Sequence, residues 1–157
     1  MNIVPAKNTH IPGMLRLLQQ VGQVHHKIRP DIFPAGTIKY DAAALESLLC
    51  DADRPVFIAE KDGQVLGYCF CICKRILPSP SSVKRSELYI DDLCVDESCR
   101  RMGIARALYE YTLSYGKRNG FQTLTLNVWC GNTGAQRFYE EMGMRPRNMV
   151  MEQSLEE

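Results

Sequence analysis

The sequence predicts one α/β domain over its 157 residues, with a mixed, mostly antiparallel central sheet flanked by helices. Two apolar runs joined by Asp62-Gly63 indicate an antiparallel hairpin near the middle of the chain. A strand at residues 87–95, a helix at 103–119 and a strand at 123–128 then follow closely, which is typical of two parallel strands joined by a crossover helix. With 45% hydrophobic residues, the chain is long enough for one core and short for two.

Composition and charge narrow the class of protein. The formal net charge is +1 with 24% charged residues, which indicates neither a nucleic-acid surface nor an acidic tail. No apolar run approaches the roughly 20 residues that span a bilayer. The first residues also lack the apolar centre of a signal peptide. We therefore expect a cytoplasmic protein with no membrane or nucleic-acid partner.

The cysteines are expected to be reduced thiols rather than a disulfide framework, because the chain has seven of them and no export signal. Cys69, Cys71 and Cys73 alternate along one predicted strand and so point to one face. Zinc sites use turn spacings such as C-x-x-C, and no matching pair of His or Cys follows. The three thiols are expected to be small core residues, and no metal is predicted.

The N-terminal part is expected to hold an edge strand and two helices. Residues 3–4 start the strand, and Thr9 is expected to cap a helix whose apolar periodicity ends before Gly22. Residues 23–40 mix polar, aromatic, proline and glycine residues, which predicts an irregular loop suited to reading a substrate. Asp41 is expected to cap the short second helix.

The remaining elements follow from the same signals. The hairpin strands are predicted at residues 56–60 and 65–72, ahead of the crossover unit. A last helix is expected from about Thr133, with Gly143 at its end, and a final strand at residues 147–153.

The turn after the predicted strand 87–95 has the composition of an anion site. Its residues are Arg100, Arg101, Met102, Gly103, Ile104 and Ala105. The first turn of a helix leaves backbone N–H groups without partners and carries the positive end of the macrodipole. Gly103 would let an anion approach the backbone, at the carboxyl end of a strand where open α/β sheets bind ligands. The sequence therefore predicts a phosphate-binding turn, with a merely solvated basic helix start as the alternative.

Two linked motifs resemble the GNAT superfamily of acetyl-CoA-dependent N-acetyltransferases. The first consists of Leu93-Cys94-Val95, Asp96-Glu97 and Arg100-x-x-Gly103-x-Ala105. The second consists of Asn132 and Arg137-Phe138-Tyr139-Glu140-Glu141-Met142-Gly143. The order and spacing match over about residues 87–151, and the first half of the chain is compatible with the family.

The resemblance implies an acetyl-CoA site. Backbone N–H groups of residues 101–105, with Arg100 nearby, would hold the pyrophosphate of the cofactor. The pantetheine arm would lie along residues 93–95 like an added strand, where the N–H of Leu93 or Cys94 would polarise the acetyl carbonyl. Asn132 matches a family position that contacts the pantetheine, although it equally suits a helix N-cap.

The resemblance also implies catalytic roles. Tyr139 matches the usual general acid, which protonates the departing thiolate, although its place on the apolar face also suits a core tyrosine. An acceptor amine that arrives protonated needs a base, and Asp91 matches an acidic position of polyamine-type members. Asp92 is assigned to the substrate, and alternation predicts that the two carboxylates face opposite sides of the strand. Attraction of a cationic substrate is the alternative role for both acids.

The predicted function is direct transfer of an acetyl group from acetyl-CoA to a primary amine of a small molecule. His25, Arg29 and Phe33 in the expected loop are the candidate acceptor-binding residues. The alternatives are a protein or peptide N-terminal acetyltransferase and a non-catalytic acyl-CoA sensor, of which Tyr139 disfavours the sensor. The resemblance also allows a homodimer.

Overall fold

The computed structural model describes residues 1–155, which contain five strands and four α-helices. In chain order these are β1 (Asn2–Pro5), α1 (Ile11–Ile28), α2 (Ala42–Leu49), β2 (Val56–Lys61), β3 (Gln64–Ile76), β4 (Arg85–Val95), α3 (Ile104–Arg118), β5 (Thr123–Leu126) and α4 (Thr133–Glu141). The chain divides into two compact units, Met1–Asn127 and a second that begins at Val128. All five strands belong to the first unit.

The strands lie in the sheet in chain order, from β1 to β5. The first three pairings are antiparallel, whereas β4 and β5 are parallel and are connected through α3. The predicted mixed, mostly antiparallel sheet flanked by helices is therefore confirmed. Asp62 and Gly63, with φ of 50° and 76°, form the hairpin turn between β2 and β3, as predicted.

The two faces of the sheet are covered by different helices, because successive side chains of a strand point to opposite sides. On one face, Tyr68 and Phe70 of β3 pack in the core with buried leucines of α1 and α2. On the other face, Phe57 of β2 contacts Tyr111 of α3, with ring centroids 4.9 Å apart. Cys69 also faces α3, where its sulfur accepts a hydrogen bond from the Thr112 hydroxyl at 3.4 Å.

Helix α1 continues to Ile28, roughly two turns beyond the predicted end. A Cβ added to Gly22 would lie 2.6 Å from the Thr37 carbonyl oxygen. This glycine therefore allows the segment after α1 to approach the middle of the helix, and it does not end the helix. Thr9 does not cap α1 as predicted but lies in a short 3-10 turn that precedes it. The predicted loop 23–40 is therefore wrong in its first part, and the irregular segment is residues 29–41.

The structure also tests the smaller predictions. Asp41 caps α2 by accepting a hydrogen bond from the Ala44 N–H at 2.8 Å, as predicted. Residues 147–153 do not form the predicted strand: none of them pairs in a ladder within the described chain, and alternation stabilises a strand only where a partner strand is present.

Cys69 and Cys71 are buried with their sulfurs 3.8 Å apart, in agreement with a core role, and Cys73 is half-buried. Among the described residues, no group of three or more His, Cys, Asp or Glu side chains could hold a metal ion. No described helix combines the length and the apolar character needed to cross a membrane.

Candidate active site

The turn before α3 has the backbone geometry of an anion site. Arg101 and Gly103 both have left-handed conformations, with φ of 62° and 77°. No described side chain caps the N-terminus of α3, so its first N–H groups point out of the helix without an intrahelical partner. A Cβ added to Gly103 would meet no described atom within 4 Å, and residues 100–103 are exposed. The turn thus fits a phosphate group in both donors and space.

Asp96 anchors this turn to the rest of the first unit. Its carboxylate accepts hydrogen bonds from the Ser98 N–H at 3.0 Å and the Ser98 hydroxyl at 2.7 Å. It also pairs with the Arg16 guanidinium of α1, which in addition donates to the Val65 carbonyl oxygen at 2.9 Å. Hydrogen bonds from Arg16 and Ser98 lower the pKa of Asp96 to about 2. The carboxylate is therefore charged at neutral pH and fixes where the turn begins.

The last residues of β4 have one open edge. Strand β5 pairs with β4 only from Glu87 to Ile90. Residues 93–95 retain their pairing with β3, but no described strand pairs with their other side. Unpaired N–H and C=O groups on such an edge can bind an extended molecule as an added strand. This edge leads directly towards the turn before α3, so the two features fit a ligand with a phosphate group and an amide-bearing arm.

A β-bulge interrupts β4 just before the open edge. Phe70 lies opposite Asp92, and the next residue of β3, Cys71, lies opposite Ile90. Asp91 is therefore the extra residue of the bulge. Alternation of side chains does not hold across an inserted residue, so the expected opposite orientation of the two acids has no basis here.

The two carboxylates in fact lie on the same face of the sheet, the one covered by α1 and α2. The rings of Tyr40 and Tyr68 both pack against Phe70, at centroid distances of 5.6 and 4.5 Å. The Tyr40 hydroxyl donates to Asp91 Oδ2 at 2.9 Å. The Tyr68 hydroxyl donates to Asp92 Oδ2 at 2.8 Å. The prediction of opposite faces is therefore wrong, and the bulge brings two acids to one site.

Asp91 is surrounded by positive charge. Lys39 Nζ lies 2.8 Å from Asp91 Oδ2, and a guanidinium nitrogen of Arg54 lies 4.0 Å from the same oxygen. Arg54 also donates a hydrogen bond to the Tyr40 hydroxyl at 2.6 Å. Burial and the charge of Asp91 raise the pKa of Tyr40 to about 12, so the phenol keeps its proton for this bond. Sequence reasoning missed these partners because Lys39 and Tyr40 lie in the segment before α2 and Arg54 lies in the loop after it, both far from Asp91 in the chain.

Asp92 has a different environment. Burial raises the pKa of its carboxyl group, and the neighbouring charge of Asp91 acts in the same direction. The hydrogen bond from Tyr68 and the positive charges of Lys39 and His25 act against this shift. Both acids therefore accept a hydrogen bond from a neutral phenol, and Asp91 in addition lies beside Lys39 and Arg54.

The candidate acceptor-binding residues lie in different surroundings in the structure. His25 lies in the last turn of α1 and not in a loop, with its ring centroid 5.0 Å from that of Phe33. A positive charge on His25 acts to lower the pKa of Asp92, so this side chain lies within electrostatic range of that acid. Arg29 instead binds its neighbour Asp31, with Nε to Oδ1 at 2.9 Å, and this hydrogen bond lowers the pKa of Asp31.

Asn132 and Tyr139 belong to the second unit. Asn132 caps α4 by accepting a hydrogen bond from the Ala135 N–H at 3.2 Å, which confirms the N-cap interpretation. Tyr139 is half-buried on α4, and its ring centroid lies 5.1 Å from that of Phe138. The roles of Asn132 in cofactor binding and of Tyr139 in catalysis stay predictions.

This chain is similar to proteins of known sequence and structure. MJ1207, an uncharacterized N-acetyltransferase of Methanocaldococcus jannaschii, is 30% identical over 95 residues, which is 60% of this chain and 40% of that protein. The matched stretch thus spans less than half of that relative. A mutant of the BH1408 protein from Bacillus halodurans is 29% identical, with a TM-score of 0.95 over 99% of both chains.

A further solved structure, the aminoglycoside N-acetyltransferase AAC(6')-Iy in complex with CoA, shares the fold with a TM-score of 0.74. It is 17% identical, and the match covers 99% of each chain. Residues 21–144, most of the sequence, match the acetyltransferase (GNAT) family. The resemblance of the two motifs is therefore confirmed, and this chain belongs to the GNAT family of acetyltransferases.

Proposed function

We propose that this chain transfers the acetyl group of acetyl-CoA directly to a primary amine of a small molecule. One observation carries the proposal: β4 has an open edge after Ile90, and this edge leads to an uncapped helix with a left-handed basic turn. A molecule that carries phosphates and an extended amide arm is complementary to that combination. Membership of an acetyltransferase family makes acetyl-CoA the donor that fits it.

Acetyl-CoA supplies an activated acetyl thioester, and the residues of the chain hold it. N–H groups of residues 101–105 and the guanidinium of Arg100 bind the pyrophosphate. Residues 93–95 bind the arm through their open edge, and the N–H of Leu93 or Cys94 donates to the acetyl oxygen. Asn132 is assigned to the same arm by the resemblance.

The acid pair is assigned to the acceptor. Asp91 takes a proton from the acceptor's ammonium, and the bonds from Tyr40 and the nearby Arg54 keep its carboxylate in place. Asp92 and His25 are assigned to binding of the acceptor. Tyr139 gives its phenol proton to the thiolate that leaves, a role that rests on the F-Y-E-x-x-G motif.

The first experiment measures thermal unfolding with and without saturating acetyl-CoA. Binding at roughly 100 times the dissociation constant stabilises a protein by about 2.7 kcal/mol, which raises the unfolding temperature by several degrees in a domain of this size. A shift that grows with cofactor concentration supports the proposal. No shift, in a folded sample free of carried-over CoA, would sink it.

The second experiment identifies the acceptor by mass spectrometry with a panel of amines. Kanamycin is included because AAC(6')-Iy is named an aminoglycoside N-acetyltransferase, and spermidine is included as a flexible polyamine. Peptides with free N-termini represent the protein-acetyltransferase alternative. Turnover of small amines without turnover of peptides is the expected result, and the reverse pattern would favour the alternative.

A further inference from the structure

A lysine of the chain itself occupies the carboxylate that the proposed function assigns to the acceptor. Lys39 Nζ lies 2.8 Å from Asp91 Oδ2 and 3.3 Å from the Asp91 carbonyl oxygen. It also lies 5.6 Å from the centroid of the Tyr40 ring. A carboxylate, a carbonyl oxygen and an aromatic face are partners that a primary ammonium prefers. Lys39 therefore presents a primary amine where an acceptor amine would bind.

The position of Lys39 leaves its amine free to move. It belongs to the segment of residues 29–41, which forms neither helix nor strand. Its side chain is 42% exposed, whereas that of Asp91 is 14% exposed. The lysine end of the ion pair reaches solvent and is carried by a flexible four-carbon stem, so the ammonium can exchange between the carboxylate and water.

The contact also lies close to the expected acetyl group. The Asp91 carbonyl oxygen stands two residues before Leu93, whose N–H is one of the two assigned to the acetyl oxygen. Two residues span at most about 7 Å even when fully extended, which is within the movement of a lysine side chain. Lys117 gives a contrast, because it is exposed near the end of α3 on the other face of the sheet.

We propose that Lys39 is an acetylation site of the protein, modified by the chain's own acetyl transfer. This inference rests on the proposed function, because it uses the same donor and the same base. The Lys39 ammonium gives one proton to Asp91, and the neutral Nζ forms a bond to the acetyl carbon as the carbon–sulfur bond of acetyl-CoA breaks. The sulfur leaves as thiolate and takes up the second proton that Nζ loses on becoming an amide, so the products are Nε-acetyl-lysine, CoA and a protonated Asp91, which returns its proton to water.

Acetylation changes the charge of the site. The acetylated nitrogen is neutral, so Lys39 no longer competes for the Asp91 carboxylate. Arg54 remains at 4.0 Å from that carboxylate. The modified protein therefore exposes an acid that an external ammonium can pair with, and its KM for a cationic acceptor should be lower than that of the unmodified protein.

The test incubates the whole protein with acetyl-CoA that carries a heavy-isotope label, followed by peptide mapping. The label distinguishes new acetyl groups from any acquired during expression. We expect Lys39 to be labelled at least tenfold faster than Lys117, the reference for uncatalysed acetylation of an exposed lysine. Because the step occurs within one chain, the rate constant should not change with protein concentration.

Two variants complete the test. Asp91→Asn should remove the excess labelling of Lys39 and leave that of Lys117 unchanged. Asp53→Asn is the matched control, since Asp53 also pairs with a cation, Arg75, at 2.7 Å but on an exposed surface. The unfolding temperature of each variant shows whether it is folded. If Asp91→Asn does not fold, the labelling rates of Lys39 and Lys117 in the protein without substitutions decide whether the inference holds.

The outcomes separate the two proposals. Equal labelling of Lys39 and Lys117, or excess labelling that persists in folded Asp91→Asn, overturns the inference. If acetyl-CoA binds and an external amine is acetylated while Lys39 stays unlabelled, only the inference fails. If acetyl-CoA does not bind, the proposed function and the inference fail together.

Discussion

Asp91 and Asp92 are adjacent in the sequence, but they have different charged neighbours. Asp91 Oδ2 lies 2.8 Å from Lys39 Nζ and 4.0 Å from a guanidinium nitrogen of Arg54. Asp92 is bound by the neutral hydroxyl of Tyr68, and burial raises its pKa. In the proposed mechanism the acid with cationic neighbours, Asp91, is the base, and Asp92 contributes to binding of the acceptor.

We predict that Asp92→Asn makes the protein more stable relative to the unmodified chain as the pH rises. The folded state of the unmodified chain holds the proton of Asp92 to a higher pH than the unfolded chain does. Its stability therefore falls as the pH rises from about 3.9, the value of an unfolded aspartate, through the raised pKa. Asparagine has no such proton, so the variant lacks this fall.

Urea unfolding at several pH values between 4 and 8 measures this difference. Asp53→Asn serves as the control because its carboxylate is exposed and paired on the surface. If the two stability curves of the chain and Asp92→Asn run parallel over this range, the raised pKa of Asp92 is wrong.

We predict that Tyr139→Phe lowers kcat by about 100-fold or more, the usual effect of losing a general acid. The affinity for acetyl-CoA should change little, because the phenol is assigned to the leaving thiolate and not to cofactor binding. Steady-state kinetics and calorimetric titration with CoA measure the two effects. Phe138→Leu, a change at the neighbouring ring on α4, is the comparison, since it alters packing without removing a proton donor. Unchanged turnover in Tyr139→Phe would remove the residue from the mechanism.

At the level of helices and strands, local signals predicted the elements well where one glycine or one cap decides the structure. The hairpin at Asp62-Gly63 and the cap at Asp41 are set by neighbouring residues alone. The predicted helix end at Gly22 was wrong, because that glycine is required by a close contact with the Thr37 backbone in a different segment. The bulge at Asp91 was missed for a related reason: the register of β4 depends on β3, and no residue of β4 alone encodes it.

The close contact at Gly22 leads to a stability prediction. Alanine normally stabilises a helix by about 1 kcal/mol relative to glycine. At Gly22 the new Cβ would lie 2.6 Å from a backbone oxygen, which is too close and requires the loop to move. We expect Gly22→Ala to lower the free energy of unfolding by about 1–3 kcal/mol, the usual range for overpacking.

Gly134→Ala in α4 is the matched control, because a Cβ there would meet no described atom within 4 Å. It should be neutral or slightly stabilising. Denaturant unfolding of both variants measures the difference, and equal stabilities would contradict the close contact.

The turn before α3 gives a binding prediction. Valine strongly disfavours the left-handed conformation of Gly103, so Gly103→Val should distort the turn and weaken CoA binding at least tenfold. Gly120→Val is the matched control, since Gly120 has φ of 71°, open space around it and a place after the opposite end of the same helix. Both variants should lose similar stability, but only the first should lose affinity in a calorimetric titration with CoA. An equal loss of affinity in the two would remove the turn from the cofactor site.

For the molecule as a whole, the candidate site joins parts that are distant in the chain. The turn before α3 and strand β4 were predictable as structural elements because their residues are consecutive and carry a motif. The surroundings of Asp91 were not, because Lys39, Tyr40 and Arg54 reach it only after α1 and α2 have packed on the sheet. The tertiary contacts therefore determine which charges surround the acid pair, whereas the motif alone indicates the turn that is proposed to bind the cofactor.

Arg16 of α1 pairs with Asp96, which lies just before the turn that precedes α3. We predict that Arg16→Met lowers the stability of the fold by an amount that depends on pH. The folded pKa of Asp96, about 2, lies below the value of an unfolded aspartate, so the pair adds stability above about pH 4 that is lost as the pH falls towards 2. Arg16 is half-exposed, so we expect a loss of about 1 kcal/mol at pH 7 after allowance for solvent screening. At pH 2 the variant and the unmodified chain should differ much less.

Urea unfolding at pH 7 and at acid pH measures this, with Arg106→Met as a control for an exposed pair on α3. A difference that stays the same at both pH values would show that Arg16 acts through packing, and not through the charge of Asp96.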